Sequence, residues 1–214
     1  MNALQEQVRK AVQILKKGGI IAFPTDTVYG LGADAFNRKA VERIYAVKKR
    51  PRHLSFPLLL ADISQVSTIA EQIPELAWFL ARYFWPGGLT LLLPKAASLP
   101  TYLTTQSTIA VRVPNHPIPL ALIQSLGSPI IGTSANISGK PSILIADEVE
   151  QQLGDKVDLI IDGGKCPGGS ESTIVDVTGE VPTILRQGII STHEIDKAYK
   201  EYCEVKGHAY CSRL

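Results

Sequence analysis

A chain of 214 residues, 45% hydrophobic and 20% charged, has the composition of an ordinary globular protein, which excludes fibrous and disordered classes. At that length folding buries roughly 70% of the unfolded surface, so a core needs neither a disulfide nor a metal. The net charge of +2, from 22 basic and 20 acidic residues, is too small for the whole surface to bind nucleic acid or membrane and leaves only a local basic patch.

Along the chain, Leu4, Val8, Ala11, Val12 and Leu15 share one helical face, and Gly18-Gly19 stops that helix. Ile20 to Phe23 reads as a buried strand closed by Pro24. Asn37 is placed to cap a helix whose apolar positions are Ala40, Val41, Ile44 and Tyr45. Leu58 to Leu60 is strand-like, and Pro74 opens a helix through Phe84 that ends at Trp85-Pro86-Gly87-Gly88. Leu89 to Leu93, Ile109 to Val113 and Pro129 to Thr133 are short apolar strands, with a helix from Pro117 to Leu126 between the last two. Ala146 to Leu153 predicts a helix; Leu159 to Asp162, Thr173 to Val177 and Thr183 to Leu185 predict strands. The expected architecture is α/β, one twisted mixed sheet with flanking helices over residues 1–192. Residues 193–214 turn polar and predict a C-terminal helical appendage.

Cys166, Cys203 and Cys211 form no Cys-x-x-Cys pair, Met1 to Lys10 has no apolar core, and no run approaches the ~20 apolar residues of a membrane span. A reducing, cytoplasmic setting without membrane contact is expected. Cys203, His208 and Cys211 lack a fourth zinc ligand, so no metal site is assigned. Asp26, Asp34 and Asp62 have no paired-carboxylate spacing.

Five segments carry more polar side chains and glycine than a scaffold needs, and most leave strand ends, where open α/β sheets bind ligands. Pro24 to Gly32 gathers two hydroxyls, a carboxylate, a phenol and two glycines, suited either to a ligand loop or to a turn. Lys48-Lys49-Arg50-Pro51-Arg52-His53 is an anion site or a solvated helix end. Arg112 lies inside the apolar run from Thr108 to Val113, on the face shared with Thr108, and needs a partner or a ligand. Gly132 to Ser142 offers hydroxyls, an amide and glycines to phosphate or ribose, although it is no Walker loop, because Pro141 follows Lys140. Gly163-Gly164 to Gly168-Gly169, with Ser170 to Thr173 behind it, is either a lid or a long connection.

Taken together, these strings occur in one order: Pro24 to Gly32, Lys48-x-Arg50-Pro51, Trp85-Pro86-Gly87-Gly88, Val111-Arg112-Val113-Pro114, Thr133-Ser134-Ala135-Asn136, Ser172 to Asp176, and Leu185-Arg186-x-Gly188. In that order they resemble the YrdC/TsaC family of threonylcarbamoyl-AMP synthases over roughly residues 10–190. The resemblance implies a mixed α/β fold enclosing a basic concave cavity. It also implies synthesis of threonylcarbamoyl-AMP and pyrophosphate from L-threonine, bicarbonate and ATP with Mg²⁺. A downstream transferase complex would then modify tRNA, which the enzyme itself need not bind.

By the same resemblance Lys48 and Arg50 take the catalytic part, and Thr27, Tyr29, Arg112 and Ser172 bind threonine. Lys48, Arg50, Thr108, Ser134, Asn136, Ser142 and Arg186 bind ATP. Phe56-Pro57-Leu58 stands where the family often has Asn-Pro-Leu, and no lysine occurs between Leu58 and Pro94. The further C-terminal domain of longer relatives is not matched, and the residues after Thr192 are too few to form one. Two other readings remain open: a non-catalytic RNA-binding module, disfavoured by the small net charge, and a carbamoyltransferase-type relative, whose usual zinc-finger cysteines have no counterpart.

Overall fold

The computed structural model describes residues 3–207, and in it the expected single sheet is two. The first half of the chain forms α1 (Ala3–Lys16), β1 (Ile21–Phe23), β2 (Gly30–Gly32), α2 (Arg38–Lys48), β3 (Leu58–Leu59), α3 (Glu75–Phe84), β4 (Leu89–Pro94) and β5 (Thr108–Arg112). The second half forms α4 (Pro117–Leu126), β6 (Ile130–Ile131), β7 (Thr133–Ser134), α5 (Ala146–Leu153), β8 (Leu159–Ile160), β9 (Thr173–Asp176), β10 (Thr183–Arg186) and α6 (Thr192–Lys206). The four-stranded sheet runs β7-β2-β1-β8 and the six-stranded sheet β10-β9-β4-β5-β3-β6; each mixes parallel and antiparallel pairs.

The local chemistry accounts for most boundaries. Asn37 caps α2 by accepting the Ala40 amide, and Lys49 ends it in the left-handed region at φ 51°. Pro117 opens α4 and Gly127, at φ 74°, closes it. Two strands depart from the sequence reading: β2 falls in the segment expected as a loop or turn, and β7 splits off the end of the expected strand Pro129 to Thr133. In β2, the Gly30 and Gly32 Cα atoms pass so close to the Phe23 ring that a Cβ would lie 3.1 and 2.7 Å from it, so only glycine lets this strand pair with β1. The second, β7, pairs over two residues, too short to show a period.

Gly132 is where the chain leaves one sheet for the other. Ile130 and Ile131 pair with β3, whereas Thr133 and Ser134 pair with β2. Ile131 N–H donates to Ala33 O and Gly132 N–H to Pro57 O, so the crossing is tied to both sheets. A Cβ on Gly132 would stand 2.3 Å from Leu59, which leaves no room for a side chain.

A larger core gathers the inner residues Leu58, Leu91, Val111 and Val175 with α2, α3 and α6; a smaller one holds α1 and α4 against Ile21 and Phe23. Ser191 and Glu194 form a capping box for α6, which buries Ile195, Ala198, Tyr199, Tyr202 and Cys203 and packs its Tyr202 ring 5.4 Å from that of Phe79. Residues 208–214 of the expected appendage, including His208 and Cys211, lie outside the described residues. Among the described residues, no helix is long and apolar enough to cross a membrane.

Candidate functional site

The pleat of the six-stranded sheet sorts its residues between core and cavity. Leu89, Leu91 and Leu93 of β4, and Ile109 and Val111 of β5, face the core. Their neighbours Thr90, Leu92, Ala110 and Arg112 line a cavity of about 390 Å³, joined by Leu59 of β3 and Ile174 of β9. Gly30, Thr133 and Ser134 of the four-stranded sheet form the facing wall, with Thr25, Thr27 and Val28 before them. The volume suits a small ligand of nucleotide or amino-acid size.

Lys48, Arg50, Arg112, Lys140 and Arg186 all line this cavity, together with the carboxylate Glu171. Lys48 comes from the last turn of α2 and is 2% exposed. Its Nζ donates to Ser134 O, to Asn136 O at 2.7 Å and to Asn136 Oδ1 at 3.0 Å. Its own carbonyl accepts the Ser138 amide, so one residue fastens the loop after β7 to α2. Arg50 reaches past the helix end, donating to Leu54 O and Ser55 O and lying 5.1 Å over the Phe56 ring.

Arg112 spreads three atoms of its guanidinium over three partners. Nε donates to Gly87 O, Nη1 to Thr27 Oγ1 and Nη2 to Asp26 Oδ1 at 2.6 Å. A charge buried in an apolar strand thus has the partner that its position demands. Ser172 Oγ meets Thr90 Oγ1 at 2.8 Å and accepts from Arg186, which also donates to Ser172 O and to Glu171. Ser142 Oγ donates to the other oxygen of Glu171 at 2.7 Å.

Crowding of cations shows in the acid–base chemistry. Burial, and then Arg50, bring Lys48 from its ordinary 10.5 down to about 8, against the pull of Glu171. Burial likewise lowers Arg50 and Arg112, the latter opposed by Asp26. Glu171 moves the other way. Burial pushes it up, but its bond from Ser142 and the charges of Arg186 and Lys48 outweigh that and hold it below the ordinary carboxylate value.

Of the residues singled out from sequence, Thr27, Lys48, Arg50, Arg112, Ser134, Asn136, Ser172 and Arg186 come together in the cavity wall. Three do not. Tyr29 is fully buried, its hydroxyl donating to Gly164 O at 3.0 Å and pushed by burial to about 12. Thr108 stands at the outer end of β5, opposite Pro94, and Ser142 lines a separate shallow depression while touching the cavity through Glu171. Thr25 and Asp26 belong to the segment that reads as either a ligand loop or a turn, without a ligand role of their own, whereas Thr90 and Glu171 carry no ligand assignment from sequence. Thr90 was legible in principle, as a hydroxyl at the cavity parity of an apolar strand. Among the described residues, no three His, Cys, Asp or Glu side chains gather as metal ligands.

The glycine loop is seated against this site. Cys166 is 2% exposed and its amide donates to Leu144 O, while Gly164 and Gly169 take φ of 86° and 68°. A Cβ on Gly168 would lie 2.6 Å from Asp26 O and 2.7 Å from Thr27 Cα, both backbone atoms that hold Arg112's partners in place. Gly168→Ala is therefore expected to cost about 1–3 kcal/mol and to loosen the Thr27 side of the cavity. Denaturant unfolding checks this, and a variant as stable as the parent would show that the loop lifts freely.

Comparison with known proteins follows this geometry. Residues 13–188 match the Sua5/YciO/YrdC family model, described as telomere recombination. The threonylcarbamoyl-AMP synthase of Pyrococcus abyssi is 44% identical over 196 residues, 91% of this chain and 58% of the relative. That of Bacillus subtilis is 42% identical over 192 residues, 89% of this chain and 56% of the relative. The crystal structure of P. abyssi Sua5 complexed with L-threonine superposes with a TM-score of 0.87 at 42% identity, over 95% of this chain and 61% of that one. The chain thus spans somewhat more than half the length of these relatives. A match across most of the sequence, on a fold of the same topology, means that the chain belongs to the Sua5/YciO/YrdC family.

Proposed function

We propose that this protein is a threonylcarbamoyl-AMP synthase, joining L-threonine, bicarbonate and ATP into threonylcarbamoyl-AMP with release of pyrophosphate. The observation that carries the reading is the convergence of Lys48, Arg50, Arg112 and Arg186 on one cavity. Every substrate is anionic or carries an anionic group, and guanidinium forks match carboxylate and phosphate oxygens. Threonine lies on the Thr27, Arg112 and Ser172 side. The three bonds of Arg112 leave N–H capacity on both Nη atoms for a carboxylate oxygen. The nucleotide lies on the Lys48, Arg50, Ser134, Asn136 and Arg186 side.

The threonine amine forms a C–N bond to the bicarbonate carbon, which loses a C–O bond as water leaves. An oxygen of the resulting carbamate attacks the α-phosphorus while the bond to pyrophosphate breaks. Such an in-line displacement asks the protein for alignment and charge stabilisation, with no covalent nucleophile. Mg²⁺ is read as part of the nucleotide substrate. The Asp26 carboxylate is committed to Arg112, so phosphate oxygens and water would hold the ion on the nucleotide. The product would pass to a tRNA-modifying transferase, as the relatives' name suggests.

Pyrophosphate release that requires threonine and bicarbonate together tests the reading. An RNA-binding module would give none, and a carbamoyltransferase would need a carbamoyl donor. Arg50→Ala is expected to lower that release by about 100-fold or more, because Arg50 is held by two carbonyls at the cavity rim with its charge facing in. Near-normal release in the variant would return Arg50 to a helix-end role.

A further inference from the structure

We propose that Glu171 is a built-in counter-anion of this cavity, holding a phosphate's place on Arg186 and Ser142 until a polyphosphate displaces it. The inference rests on reading the cavity as a nucleotide site and adds a specificity-determining residue to it. Among the described residues, Glu171 is the one carboxylate that lines the cavity. Both of its oxygens are used, Oε1 by Ser142 Oγ at 2.7 Å and Oε2 by the Arg186 guanidinium. These donors, a hydroxyl and a guanidinium N–H, are what a phosphate would take.

The carboxylate also bears on the remaining cations. Its charge supports the protonated forms of Lys48 and Arg50, which burial and mutual repulsion disfavour. An empty cavity of like charges, partly removed from water, needs such a partner to stay in order. The side chain is free to leave, being 29% exposed, whereas its backbone is not. Glu171 O accepts the Ile189 amide, and a Cβ on Gly188 would lie 2.2 Å from that oxygen. The movement is therefore a rotation of one side chain about a fixed backbone.

The consequence is a charge threshold. A compact orthophosphate, reaching only Arg186 and Ser142, gains too little to displace a carboxylate already in place, while a polyphosphate gains contacts to Lys48 and Arg50 as well. Discrimination comes from the competition, since the same donors would otherwise accept any oxyanion.

The test is binding of inorganic pyrophosphate, and separately of orthophosphate, to the full chain by calorimetry without threonine or turnover. Glu171→Gln, which keeps shape and removes charge, is expected to bind pyrophosphate about tenfold more tightly and to gain measurable orthophosphate binding. Glu171→Asp, which keeps the charge, should stay within about threefold of the parent. A crystal of the parent with pyrophosphate should show Arg186 on a phosphate oxygen and Glu171 turned to solvent. Equal or weaker pyrophosphate binding by Glu171→Gln overturns the proposal, as does a complex in which Glu171 still holds Arg186. Failure of the synthase reading would appear elsewhere, as pyrophosphate release indifferent to threonine, and would leave this binding comparison intact.

Discussion

Lys48→Met is expected to lower threonine-dependent pyrophosphate release by about 100- to 1,000-fold, the size of effect seen when one oriented donor is removed from a charge-stabilising site. From sequence alone, an anion site at a helix end carries no demand on the fold. The structure alters that, because the ammonium donates to Ser134 O, Asn136 O and Asn136 Oδ1. Methionine fills the space and strands those acceptors, so a loss of about 1–3 kcal/mol should accompany the loss of activity. Thermal unfolding beside a pyrophosphate assay separates the two. Full activity in a destabilised variant would make Lys48 a loop anchor alone.

The same residue gives a pH signature. Lys48 titrates near 8 in the folded chain and near its ordinary 10.5 when unfolded, so the folded state binds fewer protons between those values. Its burial penalty on stability is accordingly present below about pH 8 and relieved as pH rises towards 10.5. A bound polyphosphate favours the ammonium and reverses the shift. Nucleotide binding at pH 8.5 should take up part of a proton, seen by calorimetry in two buffers of different ionisation enthalpy, and Lys48→Met should abolish that uptake. Equal heats in both buffers for the parent would remove the ammonium from the phosphate site.

Arg112→Met should lose threonine binding and about 3–5 kcal/mol of stability, since it leaves the Asp26 carboxylate half of a buried pair without its partner. Asp26→Asn in that background removes the stranded charge and is expected to recover part of the stability and none of the binding. Arg112→Lys should fare little better than Met in binding, because one ammonium cannot span Gly87 O, Thr27 Oγ1 and Asp26 Oδ1 together. Threonine calorimetry on the double variant is decisive. Binding at the parental level would confine Arg112 to a structural ion pair.

Helices were the most legible part of this sequence. Pro117 to Leu126 is bounded by its own chemistry, a proline at the start and a left-handed glycine after the end, and the structure keeps those limits. Strands were legible where apolar runs were long enough, as in β4 and β5. The sequence of β2 reads Gly-Leu-Gly, and the reason for its glycines, the Phe23 ring lying across them, is a tertiary contact. The division into two sheets was equally hidden, because it turns on which partners Ile131 and Thr133 choose on either side of one residue.

The site was half legible for a similar reason. Arg112 announced itself as a charge in an apolar strand, and the demand for a partner was correct; that the partner is Asp26, 86 residues away, was not readable. Glu171 gave no signal at all. It was one acidic residue in a glycine-rich stretch, and its partners Ser142 and Arg186 lie 29 and 15 residues off. A lone carboxylate becomes chemically distinctive only beside the cations that surround it.

The passage at Gly132 fixes more than topology. The edge strands β6 and β7 of the two sheets are consecutive stretches of one path, joined through the single residue Gly132 and pinned there by Ile131 N–H and Gly132 N–H. Spreading the walls would break those bonds and drag Leu59 out of the smaller core. The seam is therefore a fixed edge of the vessel. Along that edge a bulkier guest meets an unyielding gauge instead of an adjustable grip. Adaptability is left to the parts of the rim away from the seam, its side chains and the glycine loop, so the speed of entry and exit should follow exchange there, with no slow opening at Gly132.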